Sequence, residues 1–244
     1  MAHAIKEAVV FAAGFGTRML PLTNTIPKPL VKIKHKTLLN IIIDKIFAAG
    51  VEKIYVNCHH KADMIVNHLK LHKMNHAISI IKEDILLETG GALANILPKL
   101  TSNICLTANS DVVWEEKHSH IEKMINAWDV EKMDILTMLH NANQVHGYNG
   151  FGDFNLNANS LLLNPKGIKK YMYMGVQIIN VSLIKYINKK CFSLSELYNN
   201  ATNASYEMPR CFGMVHSNGQ VFHIGDVKTL TSINNHLPNQ LNIY

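Results

Sequence analysis

The sequence predicts an α/β fold built on a mostly parallel, buried sheet. Three observations predict it. Short β-rich apolar runs alternate with amphipathic stretches, which is the rhythm of βαβ units. A glycine-rich turn follows the first apolar run directly. The chain has 244 residues at 48% hydrophobic composition, enough to bury a full core as one domain.

Strands are expected at residues 8–12, 53–57, 78–82, 104–108 and 134–139. The clearest helix covers 37–50: Thr37 is a candidate N-cap and Gly50 a stop, while Leu38, Ile41, Ile42, Lys45, Ile46 and Ala49 cycle around it. Further helices are expected at 61–73, from the pair Gly90-Gly91 to just before Pro98, and at 118–127. After residue 140 the texture becomes Asn-rich and punctuated by glycine. There, FGDFNLNANSLLL alternates around an Asn157 to Asn159 turn and reads as a hairpin. A strand at 171–179, helices at 182–188 and 193–200, a hairpin around Ser217-Asn218-Gly219 and a last helix after Gly225 complete the reading.

Lys and Arg exceed Asp and Glu by 24 to 18, a net charge of +6, but the basic residues are scattered. That distribution suits a phosphate-rich small-molecule cleft better than nucleic acid. The cysteines Cys58, Cys105, Cys191 and Cys211 lie far apart without a CxxC pair, as reduced thiols of a cytoplasmic protein would. The opening MAHAIKEAVVFAAG is unlike a secretory signal, and no run approaches the roughly 18 apolar residues of a membrane span.

The chemistry concentrates after the first strand, in Ala12-Ala13-Gly14-Phe15-Gly16-Thr17-Arg18-Met19-Leu20-Pro21, Leu22-Thr23 and Pro27-Lys28-Pro29-Leu30. Bare backbone at a strand's C-terminal end exposes N–H groups to an anion, and glycine lets a phosphate approach. Arg18 and Lys28 add a planar fork and a point charge, enough to hold a triphosphate and neutralise a leaving pyrophosphate. The prolines around Lys28 exclude a helix and stiffen its loop. The pattern is neither GxGxxG nor GxxxxGK[ST], since Thr17-Arg18 follows Gly14-x-Gly16.

These residues resemble the signature of the sugar-1-phosphate nucleotidyltransferases. Leu87-Glu88-Thr89-Gly90-Gly91-Ala92 is similar to that family's L-E-T-G-G-G, Asn109-Ser110-Asp111 to its N-G-D, and Gly152-Asp153-Phe154 to a sugar-side G-D-F. The combination looks most like the N-acetylmuramate 1-phosphate uridylyltransferase branch of peptidoglycan recycling. The resemblance implies a three-layer, Rossmann-like sheet of the nucleotide-diphospho-sugar transferase type with a small antiparallel addition on the sugar side. It further implies a single domain over 1–244, with 1–140 as nucleotide-binding half and 141–244 as sugar-binding half.

Carried across, Ala13, Gly14, Gly16, Thr17 and Arg18 would cradle the nucleotide phosphates and Lys28 would contact the reacting one. Glu88, Gly90 and Gly91 would lie beside base and ribose. Asn109, Gly152, Asn164 and Gly175 are candidates for the sugar, and Asp111 for Mg²⁺. The implied partners are a nucleoside triphosphate and a sugar 1-phosphate, with UTP and N-acetylmuramate 1-phosphate first. Mannose or glucose 1-phosphate with GTP or UTP, a phosphocholine-type alcohol with CTP, and a catalytically weakened binding module are the alternatives.

One departure carries weight. The family's second metal-binding aspartate is replaced by His223 within Val221-Phe222-His223-Ile224-Gly225-Asp226. Three outcomes stay open: a shift toward Mn²⁺ and similar ions, substitution by Asp226, or lost activity. His68, His72 and His76 recur every fourth residue and read as a solvated helix face. His59-His60 follows the second strand at the sheet's carboxyl edge, where the pair could touch a nucleotide.

Overall fold

Residues 5–163, 167–200 and 210–236 are described by the computed structural model. In chain order the strands are β1 (Glu7–Phe11), β2 (Lys32–Ile33), β3 (Lys36–Thr37), β4 (Lys53–Cys58), β5 (Ile78–Lys82), β6 (Ile104–Asn109) and β7 (Val112–Trp114). They continue as β8 (Ile135–Asn141), β9 (Val145–His146), β10 (Asn155–Leu156), β11 (Leu162–Leu163), β12 (Tyr171–Asn180), β13 (Cys211–Val215) and β14 (Val221–His223). The helices are α1 (Leu38–Ala48), α2 (Ala62–Lys70), α3 (Glu88–Ile96), α4 (His120–Ala127), α5 (Ser195–Asn200) and α6 (Val227–His236).

Seven strands form the main sheet in the order β13-β8-β12-β6-β1-β4-β5. Only β12 runs against its neighbours, antiparallel to both β6 and β8. Helices cover both faces, so β1 is apolar on both: Val10 packs with Leu39, Ile42, Ile43 and Ile46 of α1, and Val9 with Leu93 and Ile96 of α3. Each of these buried side chains contributes about 1.5–3 kcal/mol by leaving water. A smaller sheet, β7-β14-β9, stands beside the large one. This is the expected α/β architecture on a mostly parallel sheet; the small sheet is mixed rather than antiparallel, since β14 runs against β7 but with β9.

Helix α1 starts where the sequence places it, because the Thr37 hydroxyl accepts the Asn40 N–H at 3.2 Å. The hairpin at 157–159 also forms: Asn155 pairs with Leu163, and the Asn157 side chain accepts the N–H groups of Asn159 and Leu161. Four further expectations need correcting. The chain does turn at Gly219, but no hairpin results; β13 pairs with β8, and β14 with β7 and β9, so the turn carries the chain from one sheet to the other. The helix expected at 182–188 is a 3₁₀ run, Val181–Tyr186. One 3₁₀ turn, Lys28–Leu30, also fits between the prolines where no helix was expected. Finally, His68 and His72 do not face solvent. His68 Nε2 lies 2.9 Å from Asn40 Oδ1, and His72 Nε2 lies 3.3 Å from an Asp44 oxygen, so both brace α2 against α1.

Candidate active site

The C-terminal ends of β1, β4 and β6 open into a cavity of about 460 Å³. Its walls include Ala13, Gly14, Gly16, Thr17, Arg18, Lys28, Glu88, Asn109 and Asp111, which gathers most of the residues singled out from the sequence. The two loop glycines play different parts. A Cβ on Gly14 would meet nothing within 4 Å, so its bareness serves no packing need and leaves backbone open to a ligand. Gly16 has φ +65, and a Cβ there would lie 2.9 Å from Lys28 Cβ. Glycine at 16 thus lets the two parts of the loop close on each other, a closure the Thr23 hydroxyl secures by donating to Gly16 O at 3.0 Å.

Lys28 and Asp111 meet inside the cavity: Lys28 Nζ donates to Asp111 Oδ2 at 2.9 Å. Burial works to raise the Asp111 carboxyl, but the Lys28 ammonium, with His223 and Arg18 nearby, outweighs it and holds the group below the usual carboxylate range. Asp111 is therefore an anion at neutral pH. Arg18 is exposed and reaches across the mouth toward Gly225.

A buried relay that local patterning does not announce fixes the loop. Ala12 N–H donates to Asn57 Oδ1 at 2.9 Å, and Asn57 Nδ2 donates to Glu83 Oε1 at 2.8 Å. Leu87 N–H reaches the other Glu83 oxygen at 3.4 Å. Burial raises the Glu83 carboxyl, and the Asn57 and Leu87 bonds offset that only in part. Side chains thereby tie together the loops that leave β1 and β5, across the end of β4.

Gly90 and Gly91 are placed differently from the expectation that a base slides over their backbone. Both are buried, and both N–H groups donate to Phe192 O, at 2.8 and 3.1 Å. A Cβ on Gly90 would stand 2.2 Å from the Phe192 ring. Glycine here admits a strap, residues 190–194, which crosses the start of α3 and is held by Thr89 Oγ1 accepting Leu194 N–H at 2.9 Å. The strap brings Ser193 into the cavity wall beside Leu86, Glu88 and Thr89. Glu88 itself has φ +60, an uncommon backbone setting for a residue with a side chain.

On the sugar side, Asn109 lines the cavity. Gly175 does not; it has φ +78 and presses against Asn109, with a would-be Cβ 2.8 Å from Asn109 Cβ. Gly152, at φ +77, packs on Lys169 O rather than on the cavity. Asn164 lies outside the described residues. His59 and His60 also stay off the wall: they pack around the Phe15 ring, while His59 Nδ1 sits 2.8 Å from Glu83 O.

Among the described residues no three His, Cys, Asp or Glu side chains gather as a metal cage. Asp111 lines the cavity, and His223 Nε2 lies 4.0 Å from its Oδ2, which makes these two the nearest pair of donors there. Two protein donors leave room for phosphate oxygens, the usual way a nucleotide-bound divalent cation is held. Asp226 does not join them, since its Oδ1 accepts Thr229 N–H at 2.8 Å and caps α6.

Residues 7–215 match the family model described as Nucleotidyl transferase, and the chain belongs to that family. It is an enzyme of the sugar-1-phosphate nucleotidyltransferase class. It is 37% identical over 185 residues to the N-acetylmuramate alpha-1-phosphate uridylyltransferase of Caulobacter vibrioides, covering 73% of this chain and 76% of that one. It is 29% identical to the Bifunctional protein GlmU of Methanococcus aeolicus over 75% of this chain but only 40% of that protein. In fold it is similar to the crystal structure of HddC from Yersinia pseudotuberculosis complexed with GMP-PN, with TM-score 0.74 and 20% identity over 95% of this chain and 99% of that one. Among the described residues no helix is long and apolar enough to cross a membrane.

Proposed function

We propose that the chain condenses UTP with N-acetylmuramate 1-phosphate, forming the UDP-sugar and releasing pyrophosphate, as a cytoplasmic step of cell-wall sugar reuse. The relative from Caulobacter vibrioides supports the choice of substrates. The observation that carries the chemistry is the meeting of open backbone at Gly14, the Lys28 ammonium and the Asp111 carboxylate in one cavity.

In this reading residues 1–140 receive the nucleotide and residues 141–244 close over the sugar, within one domain. The triphosphate lies along Ala13, Gly14, Gly16 and Thr17, with its base toward Glu88, Thr89 and Ser193. An ionised oxygen of the sugar phosphate attacks the α-phosphorus in line. The new P–O bond forms as the bond to the β-phosphate oxygen breaks, and pyrophosphate departs with that electron pair. The attacking oxygen already carries its charge near neutral pH, so no side chain need take a proton. Lys28 and Arg18 balance charge that builds on the phosphoryl oxygens and the leaving group, by alignment and electrostatics rather than covalent chemistry. Asp111, with His223, would hold a divalent cation, Mg²⁺ in the family pattern, which when bound adds Lewis-acid charge neutralisation.

Pyrophosphate release tests the reading, with UTP, GTP, CTP and ATP each offered against a panel of sugar 1-phosphates in Mg²⁺ and Mn²⁺. The UTP and N-acetylmuramate 1-phosphate pair is expected to give the highest kcat/KM. A different preferred pair would reassign the substrates. Nucleotide binding without turnover in any pair would replace transfer by a binding role.

A further inference from the structure

The geometry points to His223 as a nitrogen ligand, through Nε2, for the divalent cation that accompanies the triphosphate. With Asp111 it makes a mixed nitrogen and oxygen site that favours Mn²⁺ or Co²⁺ over Mg²⁺. This rests on the nucleotidyl-transfer reading above and deepens it.

Backbone pairing fixes where the two side chains start. His223 lies opposite Val112 in the β14–β7 ladder, and Ile224 N–H donates to Asp111 O at 2.8 Å. Two donors each about 2.1 Å from one ion lie at most about 4.2 Å apart. The 4.0 Å between His223 Nε2 and Asp111 Oδ2 falls inside that span.

The ring's orientation decides which nitrogen faces the carboxylate. His223 Nδ1 faces Gly147 O at 3.4 Å, and a carbonyl only accepts, so Nδ1 is the donor there and Nε2 is the nitrogen on the Asp111 side. Metal-bound imidazoles are set in the same way, with the far N–H given to a carbonyl or carboxylate. Gly147 is shaped for this role: it has φ +79, and a Cβ there would lie 2.2 Å from Thr229 Cγ2 and 2.8 Å from His223 O. The Tyr148 ring meets the imidazole edge-on at 5.9 Å and limits its rotation. Asp226 offers no alternative oxygen, because it caps α6.

The preference follows from ligand chemistry. Mg²⁺ is a hard ion that takes oxygen donors almost throughout, whereas imidazole suits Mn²⁺, Co²⁺ and later ions better.

Pulsed EPR of the full chain with Mn²⁺ and UTP reads the assignment directly. A ¹⁴N coupling from a bound imidazole is expected in the unmodified chain and is expected to vanish in His223→Asp. In parallel, the Mg²⁺ concentration that displaces half the Mn²⁺ is expected to fall about tenfold in His223→Asp. Mn²⁺ bound beside UTP without imidazole coupling, or displacement unchanged by the substitution, overturns the inference while nucleotidyl transfer stands. No triphosphate-dependent Mn²⁺ signal with UTP, GTP, CTP or ATP defeats both.

Discussion

Lowering the pH should destabilise this fold through one buried ring, His216. It is 1% exposed, where β13 ends. Its centroid lies 4.8 Å from that of His120 and 5.5 Å from that of His140, and its Nδ1 has no hydrogen-bond partner among the described residues. Burial, then the His120 and His140 rings, brings its imidazole down from 6.5 to about 4. The folded value is depressed, so as pH falls the unfolded chain takes the proton first. His216's contribution is intact above its unfolded value of 6.5 and is lost progressively as pH falls toward 4. Between about pH 7.5 and about pH 5 the linkage relation gives a loss of about 2 kcal/mol from this group alone, reaching about 3 kcal/mol near pH 4. Urea unfolding at several pH values measures it, with His216→Phe as the comparison because it keeps a ring but cannot titrate. The variant is expected to lose about 2 kcal/mol less than the unmodified chain over that interval. Equal losses in both would refute the argument and show the imidazole to be charged or solvated in the folded state.

Three further outcomes follow from the site. Lys28→Met, which keeps bulk but removes the charge beside Asp111, is expected to lower kcat by about 10²–10³ with an unchanged circular dichroism spectrum; near-normal turnover would remove Lys28 from the mechanism. Gly14→Ala and Gly16→Ala should separate. The first should fold normally and bind nucleotide weakly by calorimetry, because its methyl enters open cavity; the second should lose about 1 kcal/mol or more in thermal unfolding, because its φ is positive and Lys28 lies against it. Thr89→Val leaves the Leu194 N–H without its acceptor, at a cost of about 1–3 kcal/mol to the strap, and should raise the KM for nucleotide. Thr89→Ser should restore it, and an unchanged KM in Thr89→Val would show that the strap does not shape the nucleotide wall.

What the sequence determined by itself was chemistry carried by contiguous residues. The turn from Gly14 to Lys28 is legible because its glycines, its cations and its stiffening prolines sit within one short stretch, and β1 and α1 because their apolar periods are local. Glycines 14, 90 and 91 show where that reading stops. In sequence all three are bare backbone within motifs that resemble a family signature, yet Gly14 opens on the cavity while Gly90 is closed over by the Phe192 ring and Gly91 by the Lys190 carbonyl, a hundred residues on. The engagement of Asp226 at the start of α6, the bracing of α2 by His68 and His72, and the switch of sheets at Gly219 were likewise decided only by tertiary structure. Backbone propensity and spacing act over a few residues, whereas the space around a Cβ and the partners of an imidazole are set by atoms that meet only when the chain has folded.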